Sequence, residues 1–202
     1  MKQLGLAGKR PKEMYHSYKG EVGKIADNII NRDFSTKKPL EKWTTDVSQF
    51  NLSWGKCYFS PILDMNTNEI ISYNLSLHPN MEQIKDMLHK AFERFPSVQG
   101  LIMHSDQGWQ YQHITYRNEL QQHGIIQSMS RKGNCMDNGA MENFFNEYIC
   151  EPVTMSSDSS LDSLYAARLK SLVSPIHLPY NEVVRTYIQR YTAPSGLMSR
   201  IL

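Results

Sequence analysis

Three acidic residues stand where regular structure would hold a carboxylate rigidly. Asp46 falls inside the β-branched and aromatic run 42–50, where strand propensity disfavours Asp. Asp106 directly follows the apolar run Leu101-Ile102-Met103-His104, at the C-terminal end of an expected strand, where open α/β sheets place their sites. Glu142 lies in the first turn of a helix expected to start at Asn138. Hard oxygen donors converging on one point, with no soft ligand beside them, suit Mg²⁺ or Mn²⁺. Two such ions about 3.5–4 Å apart serve phosphodiester chemistry, activating one oxygen and stabilising another. Each acid also has a plainer reading: Asp46 as an edge-strand acid, Asp106 as a turn cap, Glu142 as a first-turn acid complementing the helix dipole. Residue type and periodicity leave both open.

The elements that must position these acids follow from periodicity. Runs 42–50, 56–64 and 69–77 read as strands, the last two joined by the turn Asn66-Thr67-Asn68, and together they form an antiparallel meander. The period then changes from two to 3.6: Met81, Ile84, Met87, Leu88, Ala91, Phe92 and Phe95 share one helical stripe, capped by Asn80. A short apolar strand at 101–104, a helix over 115–123 stopped by Gly124 at its C′ position, a strand at 125–129 and a helix from Asn138 complete the order βββαβαβα. That order predicts an α/β mixed sheet with helices on both faces. Ahead of it, residues 1–40 read as a basic linker with a short helix over 20–31. Beyond it, 151–202 reads as a helical extension with helices over 161–173 and 181–191, leaving 41–150 as the core.

Composition narrows the class. The chain has 202 residues, 40% hydrophobic and 21% charged, as expected of a globular domain. No stretch is apolar enough for a membrane span, and the first ten residues lack a secretory signal core. Three cysteines, Cys57, Cys135 and Cys150, are too few and too scattered for a disulfide framework or a zinc knuckle, which predicts a reducing, cytoplasmic setting. The net charge of +2 is uneven: residues 1–42 hold ten Lys/Arg against five Asp/Glu. A basic leader on a mildly acidic body fits either a polyanion-binding arm or a solvated linker.

The spacing of the acids adds what periodicity cannot. Asp46 and Asp106 are separated by 59 residues, Asp106 and Glu142 by 35. Around them stand Trp43-Thr44-Thr45-Asp46-Val47, His104-Ser105-Asp106-Gln107-Gly108-Trp109-Gln110-Tyr111, and the run from Ser130-Arg131-Lys132-Gly133 through Asp137-Asn138 to Glu142-Asn143-Phe144-Phe145. With these motifs the chain resembles the integrase-like catalytic core of bacterial insertion-sequence transposases, relatives of retroviral integrases, over roughly residues 10–150. The resemblance implies an RNase H-like fold and two Mg²⁺ ions, with Mn²⁺ able to replace them, held by Asp46, Asp106 and Glu142 as catalytic and metal-binding residues. It also implies double-stranded DNA as partner, at element ends and target, and a homo-multimer on that DNA at the bacterial nucleoid.

Neighbouring residues carry narrower expectations. Arg131 and Lys132 are placed to grip phosphates near the scissile bond, or are a solvated pair. Asn138, four residues before Glu142 and so on the same helix face, touches DNA, orients a carboxylate or caps the helix. Asp137 is the rival ligand, with Glu142 preferred. His104 reads as a packed core histidine rather than a base. Gln107-Gly108 predicts a tight turn that needs glycine, and Trp43, Trp54 and Trp109 read as packing residues.

Two departures from the family bear on activity. Full-length members carry helix-turn-helix modules ahead of the core, so the chain is expected to be truncated at its N-terminus; after Phe145 it diverges from the family's basic continuation. Three functions compete: a catalytic transposase core, a non-catalytic remnant that binds DNA or full-length transposase and interferes with transposition, and a stand-alone structure-selective nuclease. The intact acids favour chemistry.

Overall fold

The computed structural model describes residues 23–52 and 55–148; the expectations for 1–22, Trp54 and 149–202 lie outside them. Strand β1 (Lys42–Thr45) and strand β2 (Ser48–Leu52) both run antiparallel to β3 (Gly55–Asp64), and β4 (Ile70–Ser76) pairs with the other edge of β3. The expected meander is therefore present, with its first strand split. Trp43 faces Asp64 and Ser48 faces Phe59 in one unbroken register, so β1 and β2 are a single strand whose ladder lapses at Asp46 and Val47, which face Pro61 and Ser60 respectively. Proline has no N–H to donate. Asp46 thus sits at a break rather than in a strand centre.

Two parallel strands complete the sheet. β5 (Ile102–Ser105) lies beside β1, and β6 (Ile126–Met129) beside β5. Helix α1 (Met81–Arg94) precedes β5, and Asn80 caps it by accepting the Gln83 N–H at 3.0 Å. Between β5 and β6 come a single turn, α2 (Trp109–Gln112), which periodicity did not reveal, and α3 (Ile114–Gln122). Helix α3 ends at Gly124, whose φ of +66° is the left-handed conformation expected at C′. A 3₁₀ turn (Cys135–Asn138) then leads into α4 (Gly139–Tyr148).

Alternation along the strands divides the interior between two faces. On one, Trp43, Ile62, Ile71 and Met103 pack with Ile84, Met87, Leu88, Ala91 and Phe92 of α1 and with Tyr111, Tyr116 and Leu120. The predicted stripe of α1 is thus the core. On the other face Phe59 meets Phe145 of α4 edge to face, ring centroids 6.5 Å apart. Helices cover both faces, as the order of elements predicts, and the fold is RNase H-like.

Residues 23–33 form no helix, contrary to the pattern at 20–31. Their polar groups are engaged by the sheet edge instead: the Asp27 carbonyl accepts the Met129 N–H at 3.2 Å and the Ile29 N–H reaches Ser128 Oγ at 3.0 Å. Tertiary partners outweigh a modest local propensity.

One buried acid is structural. Asp64, 1% exposed, accepts the Trp43 indole N–H at 3.0 Å and the Leu40 N–H at 2.7 Å on Oδ2, and the Asn66 and Thr67 N–H groups on Oδ1. It ties the end of β3 to the chain entering β1. Removing the carboxylate strands the indole donor in the core, so Asp64→Ala is expected to cost about 3 kcal/mol. Urea denaturation followed by tryptophan fluorescence checks this, with Asp64→Asn losing less.

Candidate active site

Register places the first two acids together. Thr45 pairs with Ser105 at the ends of the parallel strands β1 and β5, so Asp46 and Asp106, the next residues, emerge side by side at the carboxyl edge of the central sheet. This is where an open α/β sheet leaves a crevice. Each carboxylate shapes the chain that follows it. Asp46 Oδ1 accepts the Val47 N–H at 2.7 Å, and Asp106 Oδ1 accepts the Gly108 N–H at 2.8 Å. The turn after Asp106 is therefore made by its own side chain. Gly108 has φ −56°, open to any residue, so the turn does not demand glycine there.

Helix α4 brings the third acid. It packs against β1, and Glu142 lies exposed in its first turn. The Glu142 charge is felt at Asp46: burial first, then the charges of Asp106 and Glu142, raise the Asp46 carboxyl from its ordinary 3.8 to about 7. Burial also raises Asp106. Among the described residues none of the three forms a salt bridge with a cationic side chain. A concentrated negative charge of hard oxygen donors without a basic partner is suited to divalent cations. The three do not form a closed shell, since among the described residues no three His, Cys, Asp or Glu side chains are grouped to hold one ion. Asp46 and Asp106 are held by their own backbone hydrogen bonds, and Glu142 stands exposed on α4.

Asn138 reaches this pair directly. Its Nδ2 donates to Asp46 Oδ2 at 3.0 Å, while its Oδ1 has no hydrogen-bond partner among the described residues. The side chain therefore serves the carboxylate and does not cap α4. Asp137 turns the other way. Fully buried, its carboxylate accepts from Arg131 Nε (2.7 Å), Arg131 Nη2 (2.8 Å), the Arg131 N–H (3.0 Å), Arg32 Nε (2.8 Å) and Asn28 Nδ2 (2.9 Å). The hydrogen bonds from Arg131 hold its carboxyl far below the usual range. Both oxygens of the rival ligand are thus engaged away from Asp46 and Asp106. Arg131 is half exposed around this contact, and Lys132 is exposed.

His104 is buried beneath the same loop, with Nε2 2.8 Å from the Asp137 carbonyl and Nδ1 3.0 Å from Ser128 Oγ. A carbonyl only accepts, so Nε2 carries the proton and Nδ1 takes the Ser128 hydroxyl. Burial lowers its pKa and keeps it neutral, a structural histidine as read from sequence. Asn28, Arg32 and Ser128 were not visible as site residues in the sequence. Around 100 positions separate the first two from their partner, and only an unexplained basic leader hinted at them.

A mixed sheet with two acids at adjacent parallel strand ends and a third on a covering helix defines an integrase-type core. The family model described as "Integrase core domain" matches residues 36–135, a range that contains Asp46 and Asp106 and stops short of Glu142. The chain is 55% identical over 145 residues to an uncharacterized transposase-like protein of Haemophilus influenzae, covering 72% of this chain and 67% of that protein. It is 44% identical over 164 residues to the putative transposase InsK for insertion sequence element IS150 of Escherichia coli, covering 81% of this chain and 58% of that one. In fold it is similar to a chain of the simian T-cell lymphotropic virus intasome in complex with PP2A regulatory subunit B56 gamma, with a TM-score of 0.51 at 13% identity, covering 90% of this chain and 65% of that chain. The chain belongs to the integrase-core family of insertion-sequence transposases. Among the described residues no helix is long and apolar enough to cross a membrane.

The raised Asp46 carboxyl has a consequence for stability. Between about pH 4 and pH 7 the folded protein keeps a proton that the unfolded chain has released, so stability falls as pH rises through that window. Asp46→Asn is expected to flatten this slope and to be more stable than the parent by about 2 kcal/mol at pH 8 in EDTA. Urea midpoints measured at pH 4.5 and pH 8 test it; equal slopes in parent and variant would contradict the electrostatic picture.

Proposed function

We propose that this chain is the catalytic core of a transposase that cleaves DNA strands at insertion-sequence ends and joins them to new sites. The observation that carries the reading is the adjacency of Asp46 and Asp106 at the carboxyl ends of β1 and β5, without a basic partner among the described residues and within the charge field of Glu142. Asp46, Asp106 and Glu142 would hold two Mg²⁺ ions, with Mn²⁺ able to replace them. When bound, the metal would supply the positive charge that activates the attacking oxygen and stabilises the leaving one. The chain's own part is placement: Asp46 is fixed by Val47 N–H and Asn138, Asp106 by Gly108 N–H. Glu142, on a helix packed to β1, completes the set as substrate arrives.

Double-stranded DNA, at element ends and target, is the proposed substrate. Arg131 and Lys132 on the loop entering the 3₁₀ turn would contact its phosphates. Asn138 acts through Asp46 and lies where DNA would enter. A homo-multimer on paired ends, working at the nucleoid of a bacterial cytoplasm, fits chemistry that joins two DNA ends. The reading follows the acids, and needs neither a covalent protein–DNA intermediate nor ATP.

A nicking and strand-transfer assay on labelled duplexes carrying element ends, with Mg²⁺ or Mn²⁺, tests the proposal. Products are expected with either metal and none in EDTA, and Asp106→Asn should lower them roughly 10³-fold while staying folded. A folded parent that makes no product in either metal would overturn it.

A further inference from the structure

We propose that Arg32 and Asn28, which precede the residues matched by the family model, are positioning residues for the active site: they anchor the 130–138 loop so that Asn138 stays on Asp46. This rests on the functional reading above for its catalytic consequence, though not for its structural one.

The argument begins with what can hold the loop in place. Arg131 is the largest contributor of hydrogen bonds to Asp137, but it belongs to the same loop. Its bonds close the loop on itself and leave it free to shift as a unit. Attachment to the body of the protein must come from elsewhere. Ser130 N–H binds the Ser105 carbonyl at 2.9 Å at the loop's start, and His104 Nε2 binds the Asp137 carbonyl. The side chain of Asp137 is tied to the body by the leader segment: Asn28 Nδ2 donates to Oδ2 at 2.9 Å and Arg32 Nε to Oδ1 at 2.8 Å.

Arg32 does more than neutralise a charge. Its Nη2 also donates to Asn134 Oδ1 at 3.0 Å, so one planar guanidinium spans both the residue before the 3₁₀ turn and Asp137 within it. That fork geometry is particular to arginine; a lysine ammonium can keep one of the two contacts and not both at these angles. The segment carrying it is itself seated along β6 through the Asp27 carbonyl and the Ile29 N–H, giving the anchor a rigid base.

The consequence reaches the chemistry in one residue. Asn138 follows Asp137 directly, and a displacement of the Asp137 peptide carries the Asn138 amide with it. The 3.0 Å bond to Asp46 Oδ2 is lost within a shift of about 1 Å. Glu142 stands on the helix that begins at the next residue. The rest of the loop offers little resistance, being exposed at Arg131, Lys132, Gly133 and Met136, with Gly133 at φ +70°. Residues 28–32 are thereby part of the catalytic unit, and a tether ahead of the family-matched core becomes a place from which the site can be set or released.

Arg32→Ala is the variant to test, because the side chain is 42% exposed and its truncation opens no core cavity. Two readouts are needed. Amide hydrogen exchange, measured without metal or DNA, is expected to quicken about tenfold across 130–138 while β1 and β5 are unchanged, with Arg32→Lys intermediate. On end-bearing duplex in Mg²⁺, kcat is expected to fall about tenfold with KM within twofold, again with Lys intermediate. Unchanged loop exchange, or faster exchange with an unchanged kcat, would overturn the proposal. So would a raised KM with kcat retained and a shallower salt dependence, which would make Arg32 a phosphate contact. Should the parent itself yield no products, the functional reading falls, and the exchange measurement alone decides whether Arg32 anchors the loop.

Discussion

A carboxylate removed from solvent must be fully hydrogen-bonded or it destabilises the fold by several kcal/mol, and the Asp137 carboxylate meets that demand by drawing on three separated side chains. Arg131 comes from its own loop, Arg32 and Asn28 from a segment roughly a hundred positions earlier. Satisfying this one buried charge gathers residues 28–32, the 130–138 loop and the start of α4 onto the β5–β6 edge. His104 and Ser128 extend the same network beneath it. Much of the site's geometry follows from where Asp137 has to be.

The neighbouring acids show the opposite solution. Asp46 and Asp106 are brought together by strand register with no salt bridge to a cationic side chain among the described residues, and burial together with the Asp106 charge pushes Asp46 toward the protonated form. One protein thus holds a compensated acid and an uncompensated pair at one site, with Asn138 between Asp137 and Asp46. The first stabilises the fold; the second stores a repulsion that a divalent cation would relieve. That contrast separates the candidate site pair from Asp64 and Asp137, the most buried acids among the described residues, both of which are engaged by donors.

Much of the fold was legible because period and punctuation agree along the chain. The α1 stripe, the Asn80 cap, the Gly124 stop and the apolar strands expected at 101–104 and 125–129 are local patterns, and the structure keeps them to within one residue. Three features were not local. The break at Asp46 depends on Pro61 across the sheet, the turn α2 lacks a capping side chain, and residues 23–33 give up a helical pattern for contacts with β6.

The same division holds for the site. Residue type and the gaps of 59 and 35 between the acids singled out Asp46, Asp106 and Glu142, because a motif is a property of order along the chain. Which of Asp137 and Glu142 is available to a cation was decided by tertiary structure, since Arg32 approaches from a hundred residues away to occupy Asp137. Asn138 likewise looked like a helix cap by position and became a partner of Asp46 once β1 and α4 were packed together. Sequence determined the elements and the candidate acids through local pattern; the fold decided which polar groups are paired, because pairing depends on distances that only packing sets.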